Sequence, residues 1–405
     1  MIIIFCLLLI LFLIVFFIFD LIKSTEVSLT KNLIATSICT VFILGIIFNP
    51  KICLNSALEG SKLFITSVFV SVFPFLVLIN MILSYDGINI YSKLLGNILC
   101  KPLRLPKNCS VVIIISMLCG YPLGAKYASD LYEKRIIDFQ TCERLINIAS
   151  NPSPLFILGA VGTSMLNNSS IGFLLLISCY LSCIVMAIII PPNNSLYRAY
   201  KEKKESYNPA YIHTPNSLGD ILKTSVDNAL KTSFSIGGFI IFFSVLTAII
   251  KNNILFDIVF KKLSLIFNYK KEIFQSFFLG LLEMTNGCSL ISKLDIDSIY
   301  KIIIISFLLG FSGLSIISQT FSVTYKTNIS AKKYIKRKLI QGIICSILSF
   351  LLYTLNIFKL SISTSVLNNL TYNNVNLIAI FAIQIILLLL PIFISKLINL
   401  FHRIS

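Results

Sequence analysis

Long stretches of this sequence contain no charged residue, among them positions 1–19, 171–190 and 377–391. A helix needs about 20 predominantly apolar residues to cross the hydrocarbon core of a bilayer. Only 13% of the whole chain is charged and 56% is hydrophobic, whereas soluble domains carry about 25% charged residues. The sequence therefore predicts an all-α polytopic membrane protein. It excludes a soluble enzyme, a nucleic-acid binder and a disordered scaffold.

About eight apolar segments are long enough to be full transmembrane helices. They lie at residues 1–19, 33–48, 63–83, 171–190, 234–250, 302–317, 339–358 and 377–394. The first is predicted to be a retained helix, because no basic region precedes it and no small-residue cleavage site follows it.

Three further apolar stretches, at 111–119, 155–166 and 277–282, are too short to cross a membrane alone. Glycine or proline interrupts or bounds each of them. Irregular backbone at membrane depth survives only where protein or a wet cavity satisfies its polar groups. We therefore expect two re-entrant hairpins or broken-helix elements.

The distribution of basic residues predicts the orientation of the chain. The net charge is +17, and its basic residues gather in short segments between apolar runs, notably 191–232 and 321–338. Cytoplasmic loops are enriched in Lys and Arg, so both segments are predicted to be cytoplasmic and the uncharged segment 361–376 external. Residues 217–232 show apolar positions at helical spacing, which predicts an amphipathic interfacial helix.

The two halves of the chain share a layout of paired, broken apolar segments, although their sequence identity is low. Such pairs are the best sequence indication of the solute site in a transporter, so an internal two-fold repeat is predicted. The resulting division has five parts: N-terminal helices (1–50), a first half (51–190), a basic loop with an amphipathic helix (191–232), a second half (233–322) and C-terminal helices (323–405).

The first motif is G-Y-P-L-G-A-K, at residues 120–126. Gly120 and Gly124 permit positive φ and close approach of backbones, and Pro122 stiffens the turn. The following helix would present free backbone N–H groups, together with Lys126, to an anion. The alternative is a packing contact of the G-x-x-x-G type.

The second motif, A-S-N-P-S-P-L-F, places Asn151 and Ser153 directly before an apolar stretch. Both are good helix caps. These two residues either bind a solute or simply cap the start of a transmembrane segment.

The third motif contains Glu283, followed by Thr285, Asn286 and Gly287. An acid within an apolar stretch indicates a functional site, here a proton-coupling group. The alternative is a structural carboxylate that binds backbone N–H groups in the bend, or a residue just outside the membrane.

The fourth motif is rich in glycine and hydroxyl side chains, which are unusual on a face that meets only lipid. Its candidate site residues are Gly310, Ser312, Gly313, Ser315 and Gln319. Packing of small residues between helices is the alternative.

No metal, cofactor or catalytic residue is predicted. The Cys residues are scattered, and the only two His residues, His213 and His402, are far apart in the sequence, whereas a metal site needs convergent ligands. A membrane-embedded enzyme is disfavoured because no nucleophile–base pair or pair of carboxylates is evident.

At these four motifs the chain resembles the sporulation integral membrane protein YlbJ family, which carries nucleoside-recognition (Gate-type) domains. The resemblance covers roughly residues 63 to 322. The matching residues are 120–126, 151–156, Glu283 with Thr285 and Gly287, and 310–315. Family members often have Gly where this chain has Ser312.

The resemblance implies a role in endospore formation, with dipicolinate moved across the mother-cell-derived outer forespore membrane. Dipicolinate is a small aromatic dianion, which suits helix N-termini and Lys126, and Tyr121 could offer a ring face and a hydroxyl. The expected partners are this solute, the bilayer and a second copy or another spore-membrane protein, with no nucleic acid. The alternatives are a non-transporting spore-envelope scaffold and a protein like the nucleoside transporters.

Overall fold

A computed structural model describes residues 27–85, 87–192 and 217–355. These residues form helices and connecting turns, with no strand among them. The prediction of an all-α chain is confirmed for this part of the protein.

The helices α1 to α16 are numbered in chain order. They are α1 Val27–Phe48, α2 Pro50–Leu63, α3 Val70–Ser84, α4 Gly87–Leu94, α5 Gly96–Cys100, α6 Ser110–Cys119, α7 Leu123–Glu133, α8 Phe139–Ile148, α9 Ser169–Ile189, α10 Leu218–Lys251, α11 Ile254–Phe267, α12 Lys271–Leu282, α13 Met284–Ser292, α14 Ser298–Phe311, α15 Gly313–Val323 and α16 Ala331–Thr354. Two π-helical segments, Phe64–Phe69 and Phe156–Met165, and two short 3₁₀ turns, Lys107–Cys109 and Tyr325–Thr327, complete the described part.

Three helical segments are long and apolar enough to cross a membrane: Ser169–Ile189, Leu218–Lys251 and Ser298–Val323. They match the predicted spans at 234–250 and 302–317 in full and the predicted span at 171–190 to within one residue. These three predictions are confirmed.

Two further candidates are sharply bent pairs of helices. Ala35–Phe48 meets Pro50–Thr66 at 101°, and Val72–Ser84 meets Gly87–Leu94 at 88°. If each pair is one span, the described residues contain up to five. The predicted spans 1–19 and 377–394 lie outside the described residues, and the predicted span 339–358, most of which lies in α16, is not among these candidates. The count of eight is therefore not confirmed.

The amphipathic segment 217–232 is the first part of a helix and not a separate element. Helix α10 begins with this segment and runs without a break for 34 residues in all. Among the apolar positions of the segment, Ile221 is buried, whereas Leu218 and Leu222 are exposed. Polar Ser225 is buried instead, because this face of α10 packs against α2 and α3.

The basic segment 321–338, which is predicted to be cytoplasmic, is not exposed throughout. Its second part forms the first two turns of α16, where Lys332, Lys333 and Lys336 are exposed. Tyr334 and Lys338 lie on the opposite face and are buried. One charge of the cluster therefore belongs to the interior of the protein.

All four motifs lie where helices break. The first separates α6 from α7, the second follows α8, the third separates α12 from α13, and the fourth separates α14 from α15. The expectation of discontinuous helices at the glycine- and proline-rich positions is confirmed for these residues.

Candidate functional site

Gly120 ends α6 and makes a turn that only glycine adopts without strain. Its φ is +79°, in the left-handed region that a side chain disfavours. A Cβ atom on Gly120 would lie 2.4 Å from the backbone nitrogen of Ser153. The first and second motifs therefore meet at the level of their backbones.

Hydrogen bonds join the same two motifs. The backbone N–H of Tyr121 donates to the carbonyl of Asn151 at 2.7 Å. The Ser116 hydroxyl donates to Asn151 Oδ1 at 2.7 Å, and Asn151 Nδ2 donates to the carbonyls of Ser116 and Pro152, each at 3.1 Å. Both the oxygen and the nitrogen of the Asn151 side-chain amide are therefore hydrogen-bonded. These bonds fix the helix break at the second motif against α6.

Gly124 allows α7 to approach the end of α8. A Cβ at this position would lie 2.1 Å from the carbonyl oxygen of Ala149. Ser153 caps the following π-helical segment, since its hydroxyl accepts from the N–H of Phe156 at 3.3 Å. Pro122 is buried in the same turn. Together these residues join the first and second motifs into one compact unit, the first unit.

Lys126 joins this unit only through its backbone, whose N–H donates to the Pro122 carbonyl at 3.1 Å. Its ammonium lies 4.8 Å from the ring centre of Tyr127, and its side chain is partly exposed. Burial lowers the pKa of Lys126 and the nearby Asp130 carboxylate raises it. The ammonium therefore already has an acidic neighbour on its own helix.

Glu283 is the N-cap of α13. It is only 7% exposed, and its carboxylate accepts from the N–H of Thr285 at 3.0 Å and from that of Asn286 at 2.7 Å. A capping carboxylate satisfies N–H groups that the first turn of a helix leaves without partners. This geometry fits the structural alternative, and it leaves a coupling role untested.

The third and fourth motifs pack together through glycines. Gly313 has a φ of +74°, and a Cβ there would lie 3.2 Å from both the Gly280 carbonyl oxygen and the Met284 nitrogen. Gly287 approaches Gly280 so closely that a Cβ on Gly287 would lie 2.2 Å from the Gly280 Cα. The third and fourth motifs therefore form a second unit, which is as compact as the first.

The remaining residues of the fourth motif have separate surroundings. Gly310 lies at the crossing of α14 with α16, where a Cβ would be 2.8 Å from the Cα of Gly342. Ser312 is fully buried with a left-handed φ of +74°. Ser315 accepts a long hydrogen bond of 3.4 Å from Gln319, whose Oε1 is buried without a hydrogen-bond partner.

Tyr121 connects the two units. Its hydroxyl donates to the sulfur of Met284, the residue next to Glu283. Its ring centre lies 5.9 Å from the ammonium nitrogen of Lys338. The structure therefore brings the first three motifs together around one aromatic side chain.

Lys338 was missed by the sequence analysis, although it is central to this region. Its side chain is fully buried. Its Nζ donates to the Ser150 carbonyl at 3.1 Å, to the Ser150 hydroxyl at 3.3 Å and to Gln341 Oε1 at 2.9 Å. Gln341 Nε2 donates to the same carbonyl at 3.3 Å. Two side chains of α16 thus hold the second break.

A signal for this placement is present in the sequence. Tyr334, Lys338, Gln341 and Cys345 are spaced by four, three and four residues, which places them on one face of a helix. All four are buried, and the Tyr334 hydroxyl lies 3.1 Å from that of Ser150. Interpreting the basic segment 321–338 only as cytoplasmic hides this face.

A small cavity lies beside the first unit. Its volume is about 50 Å³, and its lining is mostly apolar with Ser116, Asn151, Tyr180 and Cys183 among the residues. A cavity of this size holds a few water molecules at most. An aromatic dicarboxylate does not fit unless the surrounding helices move.

These features define a class: a multi-pass integral membrane protein whose helices break where its buried polar residues gather. Its sequence is 28% identical over 330 residues to the sporulation integral membrane protein YlbJ of Bacillus subtilis (strain 168), across 76% of this chain and 79% of that protein. This similarity supports the YlbJ family, and the resemblance carried by the motifs is confirmed at that level. No family model and no solved structure matches the chain.

Proposed function

We propose that this chain is a transporter that moves a small anionic aromatic solute across a membrane during sporulation. The observation that carries the proposal is the meeting of helix breaks from two parts of the chain at Tyr121. Broken helices at membrane depth expose backbone groups that must be satisfied, and secondary transporters use such breaks to bind solutes and ions. A scaffold has no need for this arrangement.

The arrangement of the two units favours the proposed internal repeat. In each unit a glycine with positive φ packs against the backbone of the other break: Gly120 of the first motif against the second motif, and Gly313 of the fourth motif against the third. We propose on this basis that the two halves are related repeats with a Gate-type core. The complete chain would then contain about eight spans, with segments 191–232 and 321–338 on the cytoplasmic side and 361–376 outside.

Dipicolinate is the solute we propose, and the outer forespore membrane is its site of action. The support is the similarity to a sporulation membrane protein, together with a buried region that offers a Lys ammonium and a Tyr ring. Nucleosides are the alternative solute, since the motifs resemble nucleoside-recognition domains. Passage of either requires the 50 Å³ cavity to widen.

Spore composition tests the transport role against the scaffold role. Spore-forming cells in which the gene has been deleted are complemented with the gene for the wild-type protein or for the Tyr121→Ala variant. This substitution removes the side chain that connects the two units. If the protein is a transporter, we expect Tyr121→Ala to have normal abundance and the spores to have normal envelope layers but no dipicolinate. Damaged envelope layers with normal dipicolinate content would favour the scaffold.

A further inference from the structure

We infer that Lys338, rather than Lys126, supplies the positive charge that binds a carboxylate of the transported solute. The inference rests on the proposed transport function and names the residue that recognises the solute's charge. It is carried by the surroundings of the Lys338 ammonium, which differ from those of the other buried or half-buried cations described in this structure.

The partners of Lys338 are all neutral. Its three hydrogen bonds go to one carbonyl, one hydroxyl and one amide oxygen. None of the ion pairs among the described residues includes it. The neighbouring titratable side chains are the thiols of Cys179, Cys183 and Cys345 together with the Tyr121 ring.

A buried ammonium without a counter-charge is costly, because removal from water is repaid in full only by an opposite charge with good geometry. Neutral acceptors satisfy its hydrogen bonds but leave its charge uncompensated. A bound carboxylate would supply that compensation. A site with an uncompensated positive charge binds an anion more tightly than it binds an uncharged analogue of that anion.

Arg144 shows what a structural buried cation looks like in the same protein. Its guanidinium donates to the carbonyls of Ala187 at 2.6 Å and Ile190 at 2.8 Å, and to that of Arg104 at 3.1 Å. The first two carbonyls end α9, where the helix dipole concentrates negative potential. Arg144 therefore has three carbonyl partners, two of them at a helix end. Lys338 has one carbonyl partner, that of Ser150 just after the end of α8, and shares it with Gln341.

Lys126 provides the second contrast. It is partly exposed, and Asp130 lies one turn along the same helix. Charge compensation is already available to it. An anion would gain less there than at a buried ammonium without an acidic neighbour.

Lys338 lies directly behind the wall of the cavity. Ala149 and Asn151 line the cavity and flank Ser150, the residue to which Lys338 donates two bonds. Cys183 also lines it, and its sulfur accepts from Gln341 Nε2 at 3.2 Å. Widening the cavity by movement of the Asn151 break would expose the ammonium to an entering solute.

The test compares binding of dipicolinate and of its uncharged diamide to the purified full-length protein in detergent. The variants are Lys338→Met, which keeps the apolar stem, Lys338→Gln, which keeps a hydrogen-bond donor, and the matched control Lys126→Met. We expect wild type and Lys126→Met to prefer the dianion. Both Lys338 variants should bind the dianion at least tenfold more weakly and bind the diamide with unchanged affinity.

Thermal unfolding of each variant separates recognition from folding. If the Lys338 variants fold and keep the wild-type preference for the dianion, this inference is wrong while the transport function stands. If both fail to fold, Lys338 is a structural residue and the inference is equally overturned. If wild type binds no dipicolinate at all, the proposed function fails first, and this inference falls with it.

Discussion

Asn151 and Ser116 bind each other through two hydrogen bonds, one from the Ser116 hydroxyl to the Asn151 amide oxygen and one from the Asn151 amide nitrogen to the Ser116 carbonyl. The pair joins the second helix break to α6, 35 residues away in the sequence. Both side chains also line the small cavity. The contact that fixes the backbone is therefore also the contact that any opening of the cavity has to alter.

A double-mutant cycle on Ser116→Ala and Asn151→Ala measures this contact. Each substitution leaves a buried polar group without its partner, which costs about 1–3 kcal/mol. Because the residues touch, we expect a coupling free energy of about 0.5–3 kcal/mol. Denaturant unfolding in detergent provides the values, and the exposed control Thr36→Ala should change stability by less than about 0.5 kcal/mol. Strict additivity would show that the two residues act independently.

Gly120→Ala should strongly destabilise the protein. The added Cβ requires an unfavourable positive φ and would lie 2.4 Å from the Ser153 nitrogen, so the backbone of one motif must move. The matched control is Gly238→Ala, where no atom lies within 4 Å of the new Cβ on an exposed face of α10. That change should stabilise the helix by about 0.5–1 kcal/mol. Equal melting temperatures for the two variants would contradict the close approach at Gly120.

Ser312→Gly should stabilise the protein by about 1 kcal/mol. Ser312 has a φ of +74°, and a side chain in the left-handed region costs roughly 1–2 kcal/mol that glycine does not incur. Ser235→Gly is the control, because this exposed residue lies within α10 and glycine is less favourable than serine in a helix interior, by less than the roughly 1 kcal/mol that separates glycine from alanine. Opposite shifts in melting temperature are expected. A loss of stability in Ser312→Gly would mean that the hydroxyl matters more than the backbone conformation.

Glu283→Gln separates capping from coupling. Gln keeps an oxygen acceptor for only one of the two N–H groups, those of Thr285 and Asn286, that the two carboxylate oxygens of Glu283 satisfy. We therefore expect normal abundance and a stability loss of about 1 kcal/mol. If Glu283 also couples transport, solute accumulation is lost while exchange down the gradient survives. Asp138→Asn is the control, since Asp138 likewise caps a helix by accepting from the Thr141 N–H, and it should transport normally. Wild-type accumulation by Glu283→Gln would leave capping as its whole role.

The helix breaks could be predicted from the sequence because their causes are local. Glycine, proline and capping residues act within one turn of the chain. Thus Gly120, Pro152, Glu283 and Gly313 all lie at breaks or turns in the structure. The apolar spans were recognisable for a similar reason, since their composition depends on the bilayer and not on particular neighbours.

The placement of Lys338 and the path of α10 depend on distant parts of the chain. Lys338 contacts Ser150 across 188 residues of sequence, and its burial follows from the packing of α16 against α8 and α9. In α10, packing against α2 and α3 buries Ser225 and leaves Leu222 exposed. Hydrophobicity alone cannot predict which positions of such a helix are buried in the protein. One face of the helix contacts lipid and another contacts protein, and both environments are apolar.

Uptake of labelled dipicolinate into sealed vesicles that contain the purified protein tests the central claim most directly. We predict accumulation well above that of protein-free vesicles, competition by unlabelled dipicolinate and little uptake of labelled nucleosides. Vesicles with Lys126→Met should behave like wild type, and those with Lys338→Met should not accumulate the solute. Uptake no greater than in protein-free vesicles, from protein shown to be folded and inserted, would contradict the account.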